Sequence, residues 1–346
     1  LNMNENSNQE EITRQLVELL RERGKAGLEL ARKTALEEKV ESKEAREALE
    51  YFMNEYWHDY TSSALLSLVC EAVGGDPKIT APVGVVLTLI SGAIDIHDDI
   101  IDQSETKGAH PTVYGKFGKE IALLVGDALL FKGFTSLFEA IKKGVPAEKV
   151  AAIANIINKT FFELGNAEAL ELKFRERTDI TPEEYLQVVR KKGADLEAYA
   201  RISAILGGAS EEEIEALGEY GRILGMLIIL RDDMIDMLDP EETIHRIQKE
   251  HMNIAILYAL QNPELKTKIN SILKEPITPQ NAEKLTTLVD KAGGFVNMNV
   301  FMNRLSNKAH VKIEKVKFDK KYLTLLIDGM LLPDWQKYLE PSKSDG

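Results

Sequence analysis

Along most of its length the chain repeats apolar residues at the three-and-four spacing of a helix, and the strict alternation of a half-buried strand is missing. Long apolar-faced segments cover residues 47–74, 80–103, 117–138, 146–176, 182–206 and 210–237, and shorter ones follow at 246–261, 264–274, 279–308 and 320–339. Turn words separate them: Gly74-Gly75-Asp76-Pro77, the stretch from Gly108 to Pro111, Gly144-Val145-Pro146 and Thr181-Pro182. Pro182 suits a first helical turn, where its missing N–H costs nothing. Residues 9–45 are different in kind. They are charged and weakly amphipathic, with Glu and Lys or Arg four apart, which predicts an outer helix or arm at 1–45 and no catalytic element. The expected class is all-α, and the lack of a Gly/Ser/Pro linker favours one domain over residues 1–346.

Two of these apolar helices carry carboxylates that a core helix would not tolerate unpaired. Asp95-Ile-His-Asp98-Asp99-Ile-Ile-Asp102 closes the segment 80–103, and Asp232-Asp233-Met-Ile-Asp236 closes 210–237. On a helix Asp98 and Asp102 share one face, as do Asp232 and Asp236. Such pairs repel unless a cation lies between them. Mg2+ fits, because it takes oxygen ligands, keeps several waters and is held by one or two carboxylates together with substrate phosphates. One Asp-rich tetrad alone is ordinarily a solvated helix end or a cap. Two of the same spacing inside apolar helices point to a metal-bridged clamp for a diphosphate.

Composition narrows the class further. Forty-three Lys and Arg against 56 Asp and Glu leave a formal charge of −13, which argues against nucleic acid or anionic lipid as a partner. Cys70, the only cysteine, lies in an apolar run and reads as a core residue in a reducing compartment. The longest apolar run, Ala81 to Ile94, is short for a membrane span, and the N-terminus lacks a signal-peptide pattern. A soluble, cytoplasmic protein without a transmembrane segment is expected.

The words His97-Asp98-Asp99-Ile-Ile-Asp102, Pro111-Thr112-Val113 and Leu124-Val125-Gly126-Asp127-Ala128-Leu129-Leu130 closely resemble the first aspartate-rich region of trans-isoprenyl diphosphate synthases. Tyr220-Gly221-Arg-Ile-Leu224-Gly225, leading into Asp232-Asp233-Met-Ile-Asp236, is similar to their second. Glu71-Ala72-Val73-Gly74-Gly75-Asp76 and Glu183-Glu184-Tyr185-Leu186 also fall in place, so the likeness runs over residues 50–260, whereas 262–346 diverges. The resemblance implies a helical bundle around a deep apolar cavity, usually homodimeric, with the aspartate motifs facing each other at its mouth. It implies an allylic prenyl diphosphate bound through about three Mg2+ ions, ionised, and joined to isopentenyl diphosphate. Carried over, Asp98 and Asp102 hold two metals and Asp232 the third, while Asp99, Asp233 and Asp236 orient ligands and waters. Lys192, Lys107 and Lys249 align with, or lie near, the family's cations for the diphosphate. Asp95 is an additional carboxylate whose role the sequence leaves open.

Departures from the pattern are concentrated in one place. A Gly-Gly-Lys-x-x-Arg-Pro word is expected at 57–63, yet the chain reads Trp57-His58-Asp59-Tyr60-Thr61-Ser62-Ser63, putting Asp59 and Ser62 where lysine and arginine stand. Gly108 replaces the second of two arginines, and Ser91 takes a position where a polar or cationic residue normally helps. With each charged phosphate contact worth roughly 2 kcal/mol, the isopentenyl diphosphate site is weakened by orders of magnitude. Gly193 and Ile229 replace a threonine and a glutamine of the family pattern.

Three readings follow: a prenyltransferase acting on isopentenyl diphosphate or another acceptor; a cyclase or lyase of a prenyl diphosphate; and a non-catalytic subunit of a heteromeric synthase. Retention of all six motif carboxylates weighs against the third, and an aromatic content of 7% weighs against a cation-stabilising cyclase cavity. Ala93 and Ile94 stand where bulky aromatics limit product length in the family, which predicts a prenyl chain of C20 or longer, with Ile90 and Leu87 setting the depth.

Overall fold

The computed structural model describes residues 2–108, 110–177 and 179–332. It is all-α apart from one antiparallel pairing of Thr106–Lys107 with His110–Pro111. The helices are α1 (Asn2–Leu36), α2 (Lys43–Tyr51), α3 (Tyr60–Ala72), α4 (Ala81–Asp102), α5 (Val113–Phe117), α6 (Lys119–Lys142), α7 (Ala147–Leu172) and α8 (Pro182–Lys192). They continue as α9 (Ala194–Gly207), α10 (Glu211–Leu238), α11 (Pro240–Lys249), α12 (Ile254–Ala259), α13 (Lys266–Leu273), α14 (Pro279–Lys291), α15 (Gly294–Ile313) and α16 (Lys321–Met330).

Side-chain chemistry sets the ends. Thr181 and Glu184 form a reciprocal capping box at the start of α8, with Pro182 in the first turn, and Ser210 and Glu213 do the same for α10. The segment expected as one helix at 47–74 is broken at Trp57–Asp59: a π-helical turn over Phe52–Tyr56 ends it, and the Asp59 carboxylate restarts it by accepting Ser62 N–H at 3.0 Å. The segment 182–206 bends at Gly193, where a Cβ would stand 2.6 Å from Arg222 O, so the residue in place of threonine lets α9 start against α10. At 279–308 the break is Gly293, held at φ +84°. Expected helix 246–261 begins earlier, at Pro240, and splits between Lys249 and Ile254. Helix 320–339 is seen as α16, and its extension past 332 lies outside the described residues.

Helices α3, α4, α9 and α10 supply the centre of the main apolar core, with α1 laid across α3 and α4. Leu285, Val289, Met298, Met302, Leu305 and Leu323 bring the divergent C-terminal helices into the same core. A second cluster gathers Phe52, Leu89, Ala93, Ile96 and Leu129 where α4 meets α6. This crossing is close because α6 is locally bare: a Cβ on Gly126 would lie 2.6 Å from His97 Nε2, and one on Gly133 would lie 2.7 Å from Ile90.

Two helical stretches, Pro77–Asp102 and Lys119–Lys142, are long and apolar enough to cross a membrane, which the length of the run Ala81–Ile94 did not predict. The first is 72% buried within the protein, the mark of a core helix; the second is only 39% buried. Leu124, Phe131 and Phe138 project outward from α6, and Phe162 projects from α7.

Candidate active site

Both aspartate motifs occupy the last turns of their helices, the end at which backbone carbonyls concentrate negative charge. α4 stops at Asp102 because Gln103 adopts the left-handed conformation at φ 56°, and α10 ends two residues after Asp236. The two C-terminal ends border one cavity of about 560 Å3, into which Asp98, Asp99, Asp102, Asp232 and Asp236 all face. Among the described residues twelve acidic side chains line it against three from Lys or Arg, so its potential is strongly negative.

Burial magnifies that imbalance. It raises the Asp98 carboxyl, with Lys192 and Lys107 restraining the rise. It pushes Asp99 up to about 7 against the pull of Lys107. Asp102 is pushed up to about 8 by burial and by the nearby Asp98 and Glu250, despite an ion pair of 2.7 Å with Arg175. Burial also raises Asp236, although Arg246 holds it at 2.8 Å. Carboxylates that resist ionising in one concave space are short of cations.

The sequence-predicted cations divide. Lys107 Nζ lies 2.9 Å from Asp95 and 2.8 Å from Asp99, which gives the additional carboxylate Asp95 a partner. Lys192 bridges Glu168, at 2.7 Å, and Glu171. Burial alone would raise Glu171, yet Lys192 and His251 bring it down to about 2. Lys249, in contrast, is exposed outside the cavity, 3.4 Å from Gln103 Oε1. Arg246, one turn earlier on α11, reaches inward and pairs with Asp233 at 2.7 Å and Asp236 at 2.8 Å. Of these two basic residues of α11, Arg246 lines the cavity and Lys249 does not. Asp233 itself is buried behind the wall, where it also accepts Tyr185 Oη–H at 2.6 Å.

Several lining residues were missed. Glu168 and Glu171 were legible as an acidic pair three apart on α7, whereas Asp195 shares the first turn of α9 with Glu197 and gave no distinct signal. Of the chain-length positions, Ala93 points into the second apolar cluster, away from the cavity. Ile94 lines the cavity and also a narrow apolar pocket of about 20 Å3 beneath it, walled by Leu87, Ile90, Phe161 and Leu164. Of the replaced positions, Asp59, Ser91 and Gly108 line the cavity, as does Trp57 from the same stretch, whereas Ser62 is buried and does not reach it.

The donor set suits hard cations. It is rich in carboxylate oxygen, it is short of charge compensation, and among the described residues no group of three or more His, Cys, Asp or Glu encloses an ion unaided. That is the arrangement in which Mg2+ keeps waters and shares its shell with phosphate oxygens.

Comparison with known proteins bears on the same region. Residues 45–291 match the polyprenyl synthetase family. The chain belongs to that family. It is 36% identical over 213 residues to a short chain isoprenyl diphosphate synthase of Methanothermobacter thermautotrophicus, covering 60% of this chain and 64% of the relative. It is 37% identical over 186 residues to a geranylgeranyl diphosphate synthase of Methanosarcina mazei, covering 54% and 56%. The matched stretches thus span less than two thirds of these curated relatives. In three dimensions the chain superposes on geranylgeranyl pyrophosphate synthetase from Pyrococcus horikoshii with a TM-score of 0.81 at 25% identity, covering 92% of this chain and 99% of that one. A polyprenyl synthetase from Streptomyces coelicolor, at 23% identity and a TM-score of 0.78, shares the fold.

Proposed function

We propose that this family member is a Mg2+-dependent prenyltransferase that binds an allylic prenyl diphosphate of C15 to C20 or longer, ionises it, and transfers the prenyl group to isopentenyl diphosphate or another acceptor. The observation that carries this reading is the convergence of two carboxylate-bearing helix ends, from α4 and α10, on one cavity that continues into an apolar pocket. Asp98 and Asp102 on one side and Asp232 on the other are the proposed ligands of the ions. Bound there with the diphosphate, Mg2+ supplies the positive charge that makes it a competent leaving group. Lys107 and Lys192 face the same space and add to that charge. Asp233 and Asp236, fixed by Arg246 and Tyr185, hold the end of α10 in place. Ile94 and the apolar pocket stand where the hydrocarbon would leave the carboxylate cavity, and the pocket, about 20 Å3, has to open by side-chain movement to admit the chain and keep water from the developing cation.

The outward aromatic residues of α6 and α7 support a homodimer. Phe131, Phe138 and Phe162 are 72%, 67% and 68% exposed, apolar surface whose cost in water a second copy would remove. This face also accounts for the apolar character of α6 without a membrane, in keeping with a cytoplasmic enzyme.

Product analysis tests the reading: purified protein and Mg2+ are incubated with C15 and C20 allylic diphosphates, and free diphosphate and lipid products are followed. Release that depends on Mg2+ and is coupled to a prenylated acceptor is expected. Cyclised hydrocarbon as the sole product would replace transfer with the cyclase reading, and absence of any release would sink both.

A further inference from the structure

One end of the cavity is acidic, with no cation among the described residues to balance it. Asp59 and Asp195 both line it, and Asp195 accepts Ser91 Oγ–H at 3.4 Å, with Tyr199 Oη 3.0 Å from the same Ser91 Oγ. Burial, and after it the charge of Asp59, pushes the Asp195 carboxyl up to about 7; no basic group moderates the rise. Burial raises Asp59 too. The cavity's cations are engaged elsewhere: Lys107 on Asp95 and Asp99, Lys192 on Glu168 and Glu171, Arg246 on Asp233 and Asp236. Trp57 belongs to this same end, and its Nε1 is buried with no hydrogen-bond partner among the described residues. Its indole lies against α4, 3.7 Å from where a Cβ on Gly92 would stand.

Asp195 also has a distinctive position. With Ser91, Ile94 and Leu164 it lines both the carboxylate cavity and the apolar pocket, so it stands at the boundary between diphosphate and hydrocarbon. That boundary is where the reacting carbon of an allylic diphosphate must lie, because its charged head and apolar chain demand the two compartments.

We infer that the second substrate is a phosphate-free nucleophile bearing an O–H or N–H group, seated between Trp57, Asp59 and Asp195, and that Asp195 takes its proton. This rests on the allylic ionisation proposed above. In the step, the carbon–oxygen bond to diphosphate breaks with its electron pair passing to the diphosphate. A lone pair on the acceptor oxygen or nitrogen forms the new bond to carbon, and the acceptor's proton moves to the Asp195 carboxylate. A second diphosphate in this place would meet two carboxyls and no counter-charge, a repulsion that the dry environment strengthens. A protic acceptor instead finds carboxylate oxygens for its donor and Trp57 Nε1 for a further acceptor atom.

The test uses the full chain with Mg2+ and geranylgeranyl diphosphate, offering isopentenyl diphosphate, n-hexanol or n-hexylamine, with free diphosphate and products measured. Wild type should yield the prenyl ether or amine, and Asp195→Asn should lose at least tenfold of it while Asp195→Glu recovers part. Elongation with isopentenyl diphosphate should be weak in wild type and rise at least tenfold in the Asp59→Asn/Asp195→Asn double variant. Circular dichroism checks that each variant is folded. Efficient elongation by wild type that changes less than twofold in the double variant would overturn the inference, as would ether and amine yields that Asp195→Asn leaves unchanged. Absence of diphosphate release with every co-substrate would instead overturn the ionisation reading on which it rests.

Discussion

If Asp195 is kept for chemistry, it should cost stability, and the structure gives the size of that cost. Its carboxyl rises from 3.8 to about 7 on folding. The group therefore stabilises the fold only while it is protonated: its contribution is fully present below pH 4 and is lost as pH rises through 7. At about 1.4 kcal/mol per unit, the penalty approaches roughly 4 kcal/mol above pH 8 but is only about 1.6 kcal/mol at pH 5. Asparagine keeps the shape and carries no charge. Asp195→Asn should accordingly be more stable than wild type at pH 8, with its advantage shrinking by about 2–3 kcal/mol at pH 5. Urea unfolding of the metal-free protein at the two pH values measures this directly. An advantage that does not change with pH, or a variant less stable at pH 8, would refute the claim that Asp195 carries uncompensated buried charge.

Other consequences follow from the packing. Arg246→Ala leaves the buried Asp233 and Asp236 without their main counter-charge and should lower stability by about 3–5 kcal/mol, read as a fall in the urea midpoint at pH 8. A Phe138→Asp/Phe162→Asp variant should be monomeric by light scattering where wild type is dimeric; a wild type that is already monomeric at micromolar concentration removes the proposed interface. Ile94→Ala opens the passage from the cavity to the apolar pocket and should shift preference toward longer allylic substrates, measured as a rise in kcat/KM for C20 relative to C15, whereas Ala93→Phe should disturb folding instead, because Ala93 is enclosed in the second core cluster.

How far the chain could be read in advance depended on the range of the forces involved. Helix class and the two aspartate motifs were legible because both are local: periodicity of three to four, and carboxylates one turn apart. Breaks at Trp57–Asp59 and Gly193 were not, since they depend on a side-chain cap and on the close approach of another helix. Arg246 was missed for a related reason: without the rotation of α11 about its axis, the sequence does not say which of its basic residues faces inward. Ala93 failed in the same way, sharing a helix with Ile94 but facing α6. The acidic end of the cavity was half visible. Asp59 and Ser91 stood out as replaced positions, while the decisive neighbour, Asp195, comes from a segment about a hundred residues away and joins them only in three dimensions.

The central claim is that the two aspartate motifs act as one clamp. Isothermal titration of inorganic diphosphate into the protein, with and without Mg2+, tests it most directly on wild type, Asp98→Ala and Asp232→Ala. Tight binding that requires Mg2+ and is lost in both variants is the result predicted; binding that persists without Mg2+, or that survives removal of either aspartate, would contradict it.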